Sequence, residues 1–182
     1  MIIIGVDPSL TSTGICVMDE RGKILESLAI QPDNKGIERL ASFRRVFKEL
    51  ISRIRLTNID IVAFIEGYAF GANNKREALG ELGGVMKLSL YYDGVEMVVV
   101  PPTVVKQYVT GKGNADKIAM ALAVQKQYGH EFPTTDQTDA FALAEIGRAY
   151  HGLAPGLTKL RAEIIGGIRN PKPKKRKVKA KE

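Results

Sequence analysis

Four acidic residues are the positions in this chain whose types and spacing are best suited to chemistry. Asp7 closes the first apolar run, Glu66 closes a later one, and Asp136 and Asp139 lie three residues apart further along the chain. Carboxylate oxygens are hard ligands that suit Mg²⁺ or Mn²⁺, and these ions keep coordination positions for water and phosphate. The combination predicts a divalent-metal site.

Each acid also has an ordinary structural explanation. A lone Asp at the end of a strand is usually a turn former, and Asp136 alone is more typical of a helix N-cap. The metal hypothesis therefore depends on all four acids meeting at one place.

The segments around the acids predict how they could meet. The β-branched runs before Asp7 and Glu66 are typical of buried strands that end at a sheet edge. An apolar stripe follows Asp139 and predicts a helix, and the three-residue spacing places Asp136 and Asp139 on one helix face. The ends of two strands and the start of one helix could then meet at one place and bring the four acids together.

The remaining pattern predicts an α/β fold with a mixed sheet flanked by helices. Early strands separated by short turns predict an antiparallel meander, and later strands that alternate with helices predict parallel pairing. The predicted strands are 2–7, 12–18, 23–30, 60–66 and 95–100, and the predicted helices are 36–56, 75–90, 114–128 (capped by Asn114) and 139–150.

Composition predicts one globular domain, residues 1–155, followed by a basic, disordered tail, residues 156–182. The chain has 182 residues, is 45% hydrophobic and carries a formal charge of +7. Residues 169–182 hold eight Lys or Arg and one Glu, so residues 1–168 are neutral. A basic surface on the folded body must therefore come from uneven placement of charge.

Cysteine content and hydropathy indicate the cellular compartment in which the protein is expected. The single cysteine, Cys16, lies in an apolar segment, cannot form an internal disulfide and fits a reducing compartment. No apolar stretch approaches the ~20 residues that span a bilayer. We expect a soluble intracellular protein with no membrane partner.

Four segments are similar to a known family, the RuvC Holliday-junction resolvases. They are residues 4–9 (IGVDPS), 64–66 (FIE), 105–117 (VKQYVTGKGNADK) and 136–140 (DQTDA), and the resemblance covers about residues 1–150. It implies a ribonuclease H-like fold with a five-stranded mixed sheet. It also implies a homodimer in the cytoplasm of a bacterial or phage-infected cell, with Mg²⁺-dependent cleavage of phosphodiester bonds.

The resemblance also implies which residues act. Asp7, Glu66, Asp136 and Asp139 correspond to the acids that bind two Mg²⁺ ions, with Mn²⁺ as a substitute, so neither His130 nor His151 is needed. Lys106 and Lys117 match lysines beside the scissile phosphate, and Lys112 would add a backbone contact through a Gly-Lys-Gly loop. From the residues alone, this loop could equally be an ordinary turn before a helix.

Two further family features concern DNA stacking and dimer formation. Tyr68 and Phe70 lie where the family inserts an aromatic ring into the junction, but the register differs by one, so either ring could contact DNA, and Phe70 could instead be a core residue. The helix at 75–90 is the expected dimer interface, through the residues Ala78, Leu79, Leu82, Val85 and Met86.

The leading functional hypothesis is a structure-selective endonuclease that cuts Holliday junctions or other branched DNA. One alternative, a branched-DNA-binding protein without nuclease activity, predicts a missing acid, and none is missing. Another, an actin-like ATPase, lacks a second phosphate-binding glycine motif. Expected partners are four-way junctions, a second copy of the chain and branch-migration machinery. The basic tail is expected to bind phosphates, although nuclear-import signals and expression tags have the same composition.

Overall fold

A mixed five-stranded sheet forms the centre of the structure, a computed structural model that describes residues 1–55, 59–67 and 76–171. The strands are β1 (Ile2–Asp7), β2 (Thr13–Asp19), β3 (Ile24–Ile30), β4 (Ile61–Glu66) and β5 (Glu96–Val100), in the order β3-β2-β1-β4-β5. β1, β2 and β3 pair as an antiparallel meander, and β4 pairs in parallel with β1 and β5. The predicted α/β class and both pairing modes are confirmed.

Helices cover both faces of the sheet. The helices in the described ranges are α1 (Gly36–Arg55), α2 (Arg76–Tyr92), α3 (Pro102–Thr110), α4 (Lys117–Tyr128), α5 (Thr135–Tyr150) and α6 (Lys159–Arg169). Because successive strand residues point to opposite faces, Ile4 and Val6 pack with α1 and α2, whereas Ile3 and Phe64 pack with the helices from α3 onward. None of the helices in these ranges combines the length and the apolar content needed to cross a bilayer.

Helix α5 lies almost directly on the sheet, because small residues allow the two backbones to approach. A Cβ added to Gly5 in β1 would lie 1.9 Å from the carbonyl oxygen of Ala140. Nearly every residue of α5 is consequently buried, including Phe141 and Leu143. This contact fixes the position of the α5 N-terminus relative to the end of β1.

The structure corrects the predicted helices between residues 101 and 140. Helix α3 was not predicted, although Pro102 in its first turn and Gly111 at its C-terminus (φ +80°) are typical helix boundaries. Asn114 does not cap α4; Asp116 does, by accepting a hydrogen bond from the Ala119 amide. The Ala119 amide lies in the first turn of α4 and has no partner within the helix, so the Asp116 carboxylate three residues before it can accept its hydrogen bond.

Helix α6 contradicts the expectation that the whole segment 156–182 is disordered. Thr158 caps it by accepting from the Arg161 amide, and Ile165 is buried against the core. The prediction was wrong because the glycines and charges of this segment masked an apolar stripe at helical spacing, completed by Ile164 and Ile168. The folded body therefore continues at least to Arg169, and the residues from 172 lie outside the described part of the chain.

Helix α2 corrects the expected dimer surface at two of its five residues, while the other three, Ala78, Leu79 and Val85, are half-buried. Leu82 and Met86 are 0% and 2% exposed and belong to the core of their own chain, so they cannot form an interface with a second copy. The solvent face of the helix instead presents Leu88 and Tyr91, which are 53% and 71% exposed. The helical spacing of the apolar residues was correctly recognised, but it marks the face of α2 that packs against the core of its own chain.

Candidate metal centre

The four predicted acids line a common cavity at the carboxyl edge of the sheet. The cavity measures about 300 Å³. Its polar lining residues include Asp7, Glu66, Asp136 and Asp139 together with Lys106 and Lys117. Residues separated by more than 130 positions in sequence are thus brought together, as the spacing of the acids predicted.

Asp7 and Glu66 are neighbours because their strands are. β1 and β4 pair in parallel, with Val6 opposite Ile65, so the next residue of each strand is an acid at the same edge. Carboxyl ends of adjacent parallel strands form the crevice in which open α/β sheets bind ligands. The repeated pattern of an apolar strand followed by an acid therefore places two carboxylates side by side.

Close packing between β2 and α5 brings the other two acids to the same edge. Asp7 pairs with Gly14 across β1 and β2, and a Cβ on Gly14 would lie only 2.0 Å from the carbonyl oxygen of Asp136. The Thr134 side chain caps the helix by accepting from the Gln137 amide at 3.2 Å. Asp136 therefore lies in the first turn of α5, with Asp139 three residues later and also facing the cavity.

The two lysines come from the helices α3 and α4. The Lys117 ammonium lies 3.5 Å from Oδ1 of Asp136 and donates a hydrogen bond of 2.9 Å to Oγ1 of Thr135. Burial raises the pKa values of Glu66 and Asp139, and the positive charges of Lys106 and Lys117 partly oppose this rise. Both lysines are thus close enough to the carboxylates of the cavity to interact with them electrostatically.

Burial raises the pKa values of three of the acids. The pKa of Asp7 is raised well above its ordinary value by burial, then by the charges of Glu66 and Asp139. Burial and the charge of Asp139 raise the pKa of Glu66 to about 7, against an ordinary value of 4.5. A hydrogen bond between Asp7 and Glu66 further raises the pKa of Asp7 and lowers that of Glu66.

Asp139 shows the same effect of burial. Its pKa rises from 3.8 to about 6, chiefly through burial, with Lys117 opposing the rise and Asp136 adding to it. Like-charged carboxylates in one buried site resist simultaneous ionisation unless a cation or a proton is shared among them. The cavity is therefore a place where divalent cations would relieve electrostatic repulsion.

The carboxylate oxygens of the cavity suit hard divalent cations, although the four side chains do not surround a common point. Every acid offers oxygen, which Mg²⁺ and Mn²⁺ prefer. Within the described ranges, no three His, Cys, Asp or Glu side chains already form a group that could hold a metal ion. Cation binding would offset the repulsion among the carboxylates and allow them to approach a shared ion.

Two other residues considered in the sequence, Lys112 and His130, lie outside the cavity. Lys112 is exposed in the loop before α4, where its amide donates to Oγ1 of Thr110, and it does not line the cavity. Tyr68 and Phe70 lie outside the described residues. His130 packs its ring 5.2 Å from that of Phe141 and does not line the cavity either.

Sequence reasoning missed the uncharged lining of the cavity. The walls are completed by Pro8, Ser9, Gly67, Leu79, Pro102 and Met120. Ser9 follows the first acid at the turn after β1, and its amide donates to the Thr13 hydroxyl. Pro102 could have been found as a helix-start signal, but the positions of Leu79 and Met120 depend on tertiary packing.

Cavity volume alone does not locate this centre. A larger groove, of about 750 Å³, lies between β3 and α1 and is lined by Arg44, Arg45, Lys48 and apolar residues. The acids at the groove are Glu26, which is paired with Arg53, and Glu49. The smaller cavity holds the four carboxylates, so it is the candidate site.

Comparisons with known proteins agree with the geometry. Residues 3–146 match the family described as Crossover junction endodeoxyribonuclease RuvC. A protein of that name from a Synechococcus species is 31% identical over 155 residues, which covers 81% of this chain and 97% of the relative. One from Rhodococcus opacus is 33% identical, with 79% of each chain covered.

A solved structure extends the similarity to three dimensions. The Thermus thermophilus RuvC structure superposes with a TM-score of 0.68 at 25% identity, covering 86% of this chain and 100% of that one.

Proposed function

The chain belongs to the RuvC family of crossover junction endodeoxyribonucleases, and from that premise we propose that it cleaves Holliday junctions and related branched DNA by metal-dependent hydrolysis. The family comprises metal-dependent nucleases. The observation that carries the proposal is the cavity in which two strand ends and the start of α5 bring together four carboxylates, and to which α3 and α4 add two lysines. This arrangement supplies anionic metal ligands and positive charge for a phosphate in the same place.

The acids are the proposed metal ligands. Asp7, Glu66, Asp136 and Asp139 would hold two Mg²⁺ ions, with Mn²⁺ as a substitute, because hard oxygen donors in a buried site suit both ions. Ions held by these four carboxylates would supply an activated water and charge stabilisation for the leaving oxygen of a phosphodiester. The protein's contribution is to keep these oxygens at the end of a rigid sheet, where DNA can approach from solvent.

The lysines are the proposed phosphate-orienting groups. Lys117 is held beside the acids through Asp136 and Thr135, and Lys106 lines the same cavity from α3. Positive charge beside a phosphate offsets the charge that develops in the transition state. Lys112 is exposed on a neighbouring loop, where Gly111 and Gly113 allow main chain to approach a DNA backbone.

Assembly and DNA contact complete the proposal. A homodimer would place two cavities on one four-way junction, and the exposed face of α2 with Leu88 and Tyr91 is the proposed interface. Tyr68 or Phe70 would stack on a base near the junction centre, as the family resemblance implies. The basic residues 172–182 would add phosphate binding that weakens with salt.

The decisive test is cleavage of a labelled synthetic four-way junction beside duplex and flap DNA. The wild-type protein should cut the junction with Mg²⁺ or Mn²⁺ and stop when EDTA is added, whereas Asp7→Asn should bind without cutting. Asp33→Asn is the matched control, because Asp33 is an exposed acid outside the cavity. Binding without cleavage by the wild-type protein would favour the non-nuclease alternative. Equal cleavage by Asp7→Asn would contradict the assignment of the site.

A further inference from the structure

Helix α6 connects the two helices that carry the site lysines. Its residue Arg161 lies in the first turn, where the backbone is fixed by the Thr158 cap. The Arg161 side chain reaches across to the last turns of both α3 and α4. No sequence motif predicted this contact, because α6 falls in the segment expected to be disordered.

Arg161 makes polar and aromatic contacts with both helices. Its Nε donates a hydrogen bond of 2.9 Å to the carbonyl oxygen of Tyr108 in α3, and a terminal nitrogen donates to Oε1 of Gln127 in α4. The guanidinium carbon also lies 4.9 Å from the ring centroid of Tyr108 and 5.6 Å from that of Tyr128. Planar guanidinium groups favour such combined stacking and forked donation.

Gln127 closes the connection between the helices. Its Nε2 donates a hydrogen bond of 2.9 Å to the carbonyl oxygen of Val109, so α3 and α4 are joined both directly and through Arg161. Tyr108 is 2% exposed and Arg161 is half-buried, whereas Gln127 is exposed, so the junction is shielded from water on its Tyr108 side only. The hydrogen bonds that Arg161 donates have a charged donor, and such bonds are stronger than those between neutral groups.

The two connected helices carry the lysines at different distances from Arg161. Lys117 is the first residue of α4, whereas Gln127 and Tyr128 are its last two. Lys106 lies in the middle of α3, one half-turn before Tyr108. A change in the angle between these helices at the Arg161 end would therefore alter the separation of the lysines at the cavity.

We propose that Arg161 is a positioning residue that fixes the separation of Lys106 and Lys117 and thereby their placement on the substrate phosphate. The proposal rests on the proposed function, since it assigns those lysines to phosphate binding. Arg161 itself touches neither the cavity nor the acids. Its effect on cleavage must therefore pass through the lysines.

Arg169 offers a matched control at the other end of α6. Its Nε donates a hydrogen bond of 3.0 Å to the carbonyl oxygen of Tyr150, and its guanidinium carbon lies 5.4 Å from the Tyr150 ring. Among the described residues, the hydrogen bonds and the ring contact of this arginine all go to Ala149 and Tyr150 at the C-terminal end of α5. Arg169→Met should therefore lower stability without moving the lysines.

The first test measures single-turnover cleavage at saturating protein, together with junction affinity and melting temperature. Arg161→Met should cut about 10- to 100-fold more slowly, because small misplacements of positioned groups have effects of that size. Affinity for the junction should change less than about threefold, since the other phosphate contacts remain. Arg169→Met should lower the melting temperature similarly but cut at the wild-type rate. Equal slowing by both variants would overturn the proposal.

The second test asks whether Arg161 acts through the lysines. In a Lys106→Ala/Lys117→Ala background, Arg161→Met should cause no further loss of rate, since coupled residues are not additive. If Arg161→Met slowed the lysine double variant by the same factor as it slows the wild-type protein, the proposal would be overturned.

A third measurement separates failure of this inference from failure of the proposed function. Hydrogen exchange at the amides of residues 107–110 should accelerate in Arg161→Met and stay unchanged in Arg169→Met. Unchanged exchange in Arg161→Met would refute the connection itself. Normal cleavage by the lysine variants, with exchange accelerated as expected, would instead refute the role assigned to the lysines.

Discussion

Replacing Asp139 with Asn should stabilise the metal-free protein at neutral and alkaline pH. Burial is the main cause that raises the pKa of Asp139 from 3.8 to about 6. Because the folded-state pKa lies above the unfolded one, the folded protein binds more protons between these values, and its stability falls as pH rises through this window. Asn keeps the shape of the side chain but removes the charge that causes this loss.

The expected gain follows from the size of the shift. A rise of about two pKa units corresponds to about 3 kcal/mol of lost stability once Asp139 is ionised. Asn also gives up attraction to Lys117, which lowers the pKa of Asp139 in the wild-type chain. We therefore expect a gain of about 1–3 kcal/mol at pH 8, or roughly 2–10 °C in melting temperature for a chain of this size.

Thermal unfolding in EDTA between pH 4 and pH 8 measures the effect. The gain should disappear at pH 4, where the wild-type carboxylic acid is largely protonated, and Asp33→Asn should show no comparable trend. Added Mg²⁺ should narrow or reverse the difference, since ligand binding stabilises the folded wild-type protein. A lower melting temperature for Asp139→Asn at pH 8 in EDTA, or a gain independent of pH, would refute the electrostatic reasoning.

Three further substitutions test other parts of the site. Gly14→Ala should cost at least about 2 kcal/mol in urea unfolding, because its Cβ would overlap the Asp136 carbonyl oxygen, whereas Gly166→Ala in open space should gain about 1 kcal/mol. Equal effects would contradict the close packing. Thr134→Ala should cost about 1 kcal/mol through loss of the α5 cap, and an unchanged unfolding free energy would show that the cap contributes nothing. Lys117→Ala should slow junction cleavage about 100-fold. Its stability should change by less than about 1 kcal/mol, because the side chain is 63% exposed, and parallel losses would count against a role in catalysis.

The sheet and the position of the acids could be predicted because they depend on local pattern. Strand-like runs separated by short turns indicated the meander, and an acid at the end of each of two predicted strands indicated a shared edge. The i, i+3 spacing of Asp136 and Asp139 placed both on one face of α5. These features follow from backbone geometry that any sequence with this pattern must obey.

Features that depend on tertiary packing were not predicted. The contact between Gly14 and α5 cannot be inferred from either segment alone, and it is what brings the α5 acids to the end of β1. The apolar face of α2 was correctly located, but only packing shows that Leu82 is used inside its own chain. Helix α6 was missed because composition averaged over residues 156–182 hid a short amphipathic stripe.

The most direct test of the metal centre is anomalous diffraction from crystals of the protein grown with Mn²⁺ and a four-way junction carrying an uncleavable phosphate analogue. We expect two manganese ions bound by oxygens of Asp7, Glu66, Asp136 and Asp139, with the scissile phosphate beside them. Manganese bound elsewhere, or a phosphate held away from these acids in a complex that cuts unmodified DNA, would contradict the account.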